Sequence, residues 1–394
     1  MEPGFKQKIE LGIVRLSKNS LNLALRVCEA VFFFRRVESP KKILVFKVGN
    51  IGDIICAIPS FIAIRKNYPE AEITLLTSPG VKGIPGASEL LHGAWYLDRI
   101  IKYDVNDFDS WGSILRLVRG LRKEHYDIFI NLPADSWARF RVLFRNMVFA
   151  RLLGVKSAFG FRVRVIINLF KKTQIDWTLA RQETDTLLDI LKEAGVKVGD
   201  AEFDLPIPVE AEAKVKEILA TKWGAEPPKL LIALQFATKA NFPEKRWLPE
   251  RFAEVLEYLI DKYNARIVII GGPGDVKEAE LIARNLKADK ILITAGKLMV
   301  IESAALIRHC SFLLGIDSGP MHIMASFGKP TVSLFSTMNI PGLWFPYGAG
   351  HEVIQHRFLE CDYRKKECVH KSMELITVDE VEKACDRLIK KITA

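Results

Sequence analysis

Four short stretches of this 394-residue chain combine glycine with a carboxylate, a cation or an imidazole in patterns that suit an anionic ligand. The first is GNIGDI, residues 49–54, where an apolar run gives way to a helical pattern. Glycine lets backbone N–H groups close on an anion, and a helix N-terminus adds partial positive charge. Gly49, Asn50 and Gly52 make that loop, and their G-x-x-G spacing is not the G-x-G-x-x-G dinucleotide fingerprint. Asp53 then offers a carboxylate that suits either a general base acting on a sugar hydroxyl or a plain helix N-cap.

The second stretch, TKANFPEKRWLP at 238–249, places Thr238, Lys239, Lys245 and Arg246 on a loop ahead of a helix. Cations there either neutralise phosphates or are ordinary surface charge. The third, GIDSGPMHIMASFGKP at 315–330, ends a strand at Asp317 and starts a helix at Ser318 and Gly319. The first N–H groups of that helix lack intrahelical partners and suit a pyrophosphate. His322, one turn in, reaches either an anion or a backbone carbonyl. The fourth is GGPGD at 271–275, whose Asp275 suits a ribose or sugar diol, although a tight turn alone accounts for its glycines. A D-x-D at Asp107 and Asp109 has the form used by metal-dependent transferases but sits in a polar stretch away from a strand end. No metal-ligand spacing, G-x-S-x-G elbow or Walker loop is present.

The elements that carry these stretches alternate between strand and helix. Apolar runs predict strands at 42–48, 72–77, 95–101 and 127–131, with helices at 53–67, 111–124, 137–153 and 184–194. Residues 204–209, DLPIPV, read as an extended linker. A second set follows, with strands at 230–235, 266–270, 290–294, 312–315 and 331–335. Its helices fall at 249–263, 276–285, 299–309, 321–326 and 377–392. Alternation of this kind gives doubly wound parallel sheets. Two such domains are expected, 42–208 and 209–376, with ligand in the cleft between them, a leader at 1–41 and a closing helix at 377–394.

At about 150 residues per domain the length allows two or three domains. With 49% hydrophobic and 26% charged residues the chain is globular, neither disordered nor fibrous. Its apolar runs fall far short of the roughly 20 residues of a spanning helix. Residues 1–42 hold nine basic and four acidic side chains, half of the net charge of +10. Within 5–36, Ile9, Ile13, Leu16, Leu23, Val27, Ala30 and Phe34 recur at helical spacing with basic flanks. That pattern suits a helix lying on an anionic membrane, or one packed on its own domain. In the absence of a zinc-finger or RRM signature, lipid is favoured over nucleic acid. Six scattered cysteines and an interrupted early apolar stretch point to a reducing, cytosolic location.

In order along the chain, four segments resemble the bacterial heptosyltransferases of glycosyltransferase family nine, over about residues 42–392. They are KILVFKVGNIGDIICAIPSFIAIRKNYPEAEITLLTS from 42, KRWLPERFAEVLEYL from 245, IVIIGGPGDVKEAELIA from 267 and LLGIDSGPMHIMASFGKPTVSLF from 313. The resemblance implies a GT-B fold, two Rossmann-like domains facing a central cleft. It also implies inverting, metal-independent transfer of a sugar without a cofactor. The expected donor is ADP-heptose and the acceptor a lipopolysaccharide core, at the cytoplasmic face of the membrane. Asp53 matches the family's base and Lys245 its diphosphate-binding lysine. Asp317, Ser318, Gly319 and His322 match its D-[ST]-G-x-x-H donor loop, with Thr238 and Asp275 more loosely aligned as donor contacts. Three features depart from the family: the leader, Pro320 where Leu or Met is usual, and Cys361 and Cys368 in place of a larger cysteine cluster, which leaves a structural zinc or a disulfide open. A nucleotide-sugar epimerase or hydrolase, and a non-catalytic nucleotide-sugar-binding protein, are the competing functions.

Overall fold

The computed structural model describes residues 5–33, 37–78, 86–103, 111–133, 139–163, 181–226, 228–237, 243–356 and 366–393, and of 5–15 and 111 the backbone alone. Thr238, Asp107, Asp109, Cys361, Phe34 and the side chains of Ile9 and Ile13 lie outside the described residues. The chain divides into two compact units, Met1–Phe203 and Asp204–Ala394.

The first unit runs α1 (Phe5–Phe32), β1 (Lys42–Phe46), α2 (Ile51–Ile55), α3 (Ile58–Asn67), β2 (Glu72–Thr77), α4 (Ala87–Leu90) and β3 (Arg99–Lys102). It continues with α5 (Trp111–Arg122), β4 (Ile128–Asn131), α6 (Phe140–Leu153), β5 (Ser157–Phe159) and α7 (Glu183–Glu193). Its sheet has the order β3-β2-β1-β4-β5, and every pairing is parallel. Strands such as KILVF and IFIN are almost unbroken apolar runs because helices cover both faces of a parallel sheet. The single helix expected at 53–67 is two. Pro59, which has no N–H to donate, stands at the start of α3, and the chain turns at 56–57.

The leader is one helix with two apolar faces. Leu25 is fully buried in the core cluster with Leu44, Phe129, Leu143, Met147 and Phe161, and Leu21, Cys28, Phe32 and Phe33 pack against that cluster. Asn22 exchanges hydrogen bonds with the backbone of Val163, donating from Nδ2 at 3.1 Å and accepting at Oδ1 at 2.7 Å. Glu29 pairs with Arg162 at 2.8 Å. The residues that define the expected apolar stripe, Leu16, Leu23, Val27 and Ala30, are on the opposite, exposed side.

The second unit runs α8 (Val209–Trp223), β6 (Leu231–Gln235), α9 (Pro249–Tyr263), β7 (Arg266–Ile270), α10 (Val276–Ala283), β8 (Ile291–Ile293) and α11 (Val300–His309). After these come β9 (Phe312–Ile316), α12 (Gly319–Ser326), β10 (Thr331–Phe335), β11 (Glu352–Gln355), α13 (Lys366–Glu374) and α14 (Val378–Thr393). Its six-stranded sheet has the order β8-β7-β6-β9-β10-β11, the doubly wound order in which chain direction across the sheet reverses between β6 and β9. Residues 201–208 carry no helix or strand. α8, α13, β5 and β11 have no counterpart in the sequence reading; α8 buries Ala211, Val215 and Leu219 at a spacing of four, a weak stripe in a largely charged segment. Cys368 is disulfide-bonded, the disulfide being one of the two alternatives left open for it, while Cys28, Cys56, Cys310 and Cys385 are free thiols.

Asp127, at the start of β4, fastens three strands at their amino ends. It accepts from the backbone N–H groups of Lys41 at 2.8 Å and Lys42 at 3.2 Å, and from Lys156 Nζ at 2.7 Å. Burial raises its pKa, but Lys156 and the two N–H groups outweigh that and hold it below the ordinary value of 3.8. Lys156 is more than half exposed, so the backbone bonds carry most of the stabilisation. A depressed carboxylate stabilises the fold above its unfolded pKa, and that contribution is lost as pH falls through the folded value. Asp127→Asn is therefore expected to lower stability by about 2 kcal/mol at neutral pH. In urea unfolding the gap from the native protein should narrow once the pH drops below 3.8.

Candidate active site

In the first unit the chain leaves β1 and keeps running beside the end of β2, with Lys47 N donating to Leu76 O and Gly49 N to Ser78 O, both at 3.1 Å. It then folds back into α2. Asp53 Oδ2 accepts from Asn50 N at 2.9 Å, the bond expected of a helix N-cap box, and this fixes the carboxylate over the loop. Gly49 is required by that closure: a Cβ there would sit 2.3 Å from the Cβ of Asp53. Asn50, not Asp53, is the N-cap residue, and Asp53 serves the helix start from the third helical position, where this bond fixes the direction of its carboxylate.

Beneath this loop lies an ion pair that sequence reasoning missed. Lys47 and Glu183 are both fully buried, with Nζ 3.3 Å from Oε1. Glu183 opens α7, where the helix N-terminus favours its charge. Cys56 shares this pocket; burial, then the neighbouring Glu183 carboxylate, pushes its thiol well above the ordinary range and makes it unreactive. A lysine inside the apolar run KILVFKV was the one available signal, but its partner lies 136 residues away.

In the second unit Lys245 closes a 3-10 turn, Pro243–Lys245, and Asp317 follows β9. The Lys245 ammonium is 3.1 Å from Asp317 Oδ2, and both side chains are largely shielded, at 16% and 17% exposure. Asn339 Nδ2 donates to the same oxygen at 2.5 Å. Gln355 Nε2 donates to Ser336 O at 2.8 Å and to Asn339 O at 3.0 Å, holding the asparagine's segment. Trp247 anchors the chain just after Lys245: it is 2% exposed, meets Phe252 edge-on at 4.8 Å and donates from Nε1 to Ile376 O at 3.0 Å.

Ser318 is the N-cap residue of α12, but its hydroxyl donates to Ile316 O at 3.2 Å instead of capping the helix. Pro320 stands in the first turn of α12, a position where a missing N–H costs nothing, so the departure at this residue fits a helix start. His322 is buried, its ring 6.2 Å from Trp344 in a T-shaped contact. Asp275 closes its own turn by accepting from Gly272 N at 2.7 Å, and the neighbouring Arg246 pairs with Glu278 of α10 at 3.1 Å. The fold therefore joins Lys245 to Asp317 and adds Asn339, while Asp275 belongs to a separate loop. Thr238 lies outside the described residues. Asn339, in a stretch without a recognisable pattern, could not be found from sequence. Among the described residues no group of three or more His, Cys, Asp or Glu side chains forms a candidate metal site.

With its two Rossmann-like units the chain has the GT-B fold of the glycosyltransferases it superposes on. A sequence profile described as Glycosyltransferase family 9 (heptosyltransferase) matches residues 114–374, and the chain belongs to that family. It is 25% identical over 353 residues to the lipopolysaccharide heptosyltransferase 3 of Escherichia coli K12, covering 86% of this chain and 95% of that protein. A family 9 glycosyl transferase from Veillonella parvula superposes with a TM-score of 0.72 at 24% identity, over 89% of this chain and 98% of the other. The E. coli ADP-heptose lps heptosyltransferase II gives 0.64 at 18% identity, over 90% and 100%. The chain is a glycosyltransferase.

The buried pair yields a stability test. Glu183→Ala, which strands the Lys47 ammonium without water, should cost about 3–5 kcal/mol in denaturant unfolding. The double change Lys47→Met with Glu183→Leu should recover most of that loss. A single-mutant cost below about 1 kcal/mol would mean that water reaches the ammonium.

Proposed function

We propose that this chain transfers a heptose from ADP-heptose to a lipid-linked lipopolysaccharide core, with inversion and without a metal ion. The observation that carries the reading is the convergence of Lys245 and Asn339 on Asp317, beside the start of α12. The similarity to the lipopolysaccharide heptosyltransferase 3 and to the ADP-heptose lps heptosyltransferase II of E. coli supports heptose, ADP and lipopolysaccharide. In this reading the second unit holds the donor and the first activates the acceptor.

The acceptor oxygen attacks the anomeric carbon from the face opposite the diphosphate. A new C–O bond forms, the bond from that carbon to the phosphate oxygen breaks with both electrons, and ADP departs as the anion. Asp53 takes the proton of the acceptor hydroxyl. Lys245 and the backbone N–H groups of Ser318 and Gly319 stabilise the leaving diphosphate, which supplies the positive potential a divalent ion provides elsewhere. Asp317 keeps the ammonium in place before donor arrives. His322 buttresses the turn against Trp344, and Gly49, Asn50 and Gly52 shape the loop that presents Asp53. Asp275 and Thr238 complete the donor contacts. The protein works at the cytoplasmic face of the membrane, with the leader of residues 5–36 against anionic lipid.

Among ADP, UDP, GDP and CMP, only ADP is expected to raise the thermal midpoint strongly, and a ligand at a hundred times its Kd adds about 2.7 kcal/mol. A UDP-only response would reassign the donor. Asp53→Asn should keep the ADP response and lose about 10²–10⁴-fold in turnover, the scale of a general base. Lys245→Ala should lose about 10²–10³-fold together with most of the ADP response. Near-normal turnover in either variant removes that residue from the mechanism. Activity that EDTA abolishes and magnesium restores would overturn metal independence. Donor consumed without acceptor would favour the hydrolase alternative.

A further inference from the structure

α5 has the sequence WGSILRLVRGLR and α6 the sequence FRVLFRNMVFARLL, and neither contains an acidic residue. Arg116, Arg119, Arg122, Arg141, Arg145 and Arg151 are all exposed. Several surface cations of the second unit are matched close by, as Lys383 is by Asp379 at 2.7 Å and Lys391 by Glu352 at 2.9 Å. Between the arginines stand large apolar side chains that are partly open to solvent: Leu115 at 48%, Phe144 at 37% and Leu152 at 51% exposure.

α1 continues this surface. It and α5 pack on the same core cluster as α6, and α6 touches both. With its inner face spent on that core, α1 turns Leu16, Leu23, Val27 and Val31 outward at 54–68% exposure. Trp95 apart, every exposed large hydrophobic side chain described in the first unit belongs to these three helices. One layer thus combines arginines that have no acidic partner among the described residues with a broad apolar stripe.

We propose that α1, α5 and α6 together form a docking face for an anionic lipid bilayer, so that the leader acts as one rib of a three-helix surface and not as a detached anchor. Arginine attracts phosphate headgroups, and aliphatic side chains enter the headgroup–acyl boundary. A nucleic-acid surface would use the cations but has no place for a row of leucine and valine, since single strands stack on aromatic rings. Covering by a second protein would not call for two helices devoid of carboxylates. The choice of lipid rests on the lipid-linked acceptor proposed above, but its test involves no sugar transfer.

The full chain should pellet with phosphatidylcholine vesicles containing phosphatidylglycerol and stay in solution with phosphatidylcholine alone. Replacing four arginines, R116Q/R119Q/R141Q/R145Q, should weaken vesicle binding at least about tenfold. L23S/V27S, which leaves every charge in place, should also weaken it about tenfold. Removing the same charge from exposed lysines of the second unit, K216Q/K371Q/K383Q/K390Q, should leave binding within about twofold. Each variant is compared at an unchanged thermal midpoint. Equal binding to neutral vesicles, native-like binding by the folded arginine variant, or an equal loss in the lysine variant would each overturn the proposal. So would preferential retention of RNA over vesicles. Vesicle binding of the expected pattern without any ADP response or heptosyl product would leave this face standing and remove the transferase assignment instead.

Discussion

Lys245 and Asp317 meet across 72 residues of chain because β6 and β9 are parallel neighbours at the place where sheet order reverses. Segments that leave two adjacent parallel strands emerge on the same edge, and there a cation from one can reach a carboxylate from the other. Gly315 makes the approach possible, since a Cβ at that position would stand 2.4 Å from the carbonyl oxygen of Gln235. A largely shielded carboxylate shared by an ammonium and an amide is costly to leave unmatched, so the arrangement is held in register by its own electrostatics.

Both units use one local device at the end of a strand. A glycine begins the turn, and an aspartate four residues later bonds the backbone N–H of the residue just after that glycine, as Asp53 does with Asn50 and Asp275 with Gly272. The bond satisfies a helix-end donor and sets the direction of the carboxylate together, so the capping role of Asp53 is compatible with the base role proposed for it. What differs is the support. Under the loop of the first unit lies the fully buried pair of Lys47 and Glu183, whose rupture would leave a bare charge in the core. The corresponding position in the second unit is defended from the surface, by Arg246 against Glu278.

α1 shows why a helical stripe can mislead when read alone. The stripe of Leu16, Leu23, Val27 and Ala30 is real, but the residues that seat the helix are Leu21, Leu25, Cys28 and Phe32, interleaved with it at the same period. A helix apolar on two sides satisfies both demands, and which side faces inward is settled by Asn22 at Val163 and Glu29 at Arg162. The side left outward then joins α5 and α6, helices whose charged side chains are all cations.

The sequence by itself determined the alternation of strands and helices, the positions of the glycine turns and the motifs at Asp53, Lys245 and Asp317. Backbone conformation and local charge are set by residues a few positions apart, which a linear reading contains. Tertiary structure decided what depends on distant partners: the Glu183 carboxylate beneath Lys47, the Asn339 amide on Asp317, and the inner face of α1. Short edge strands such as β5 and β11, and a mostly charged helix such as α8, also escaped, because each is stabilised by a neighbour and carries little pattern of its own. A partner 136 residues away leaves no periodic trace, and only the packing of the sheet brings it within 3.3 Å.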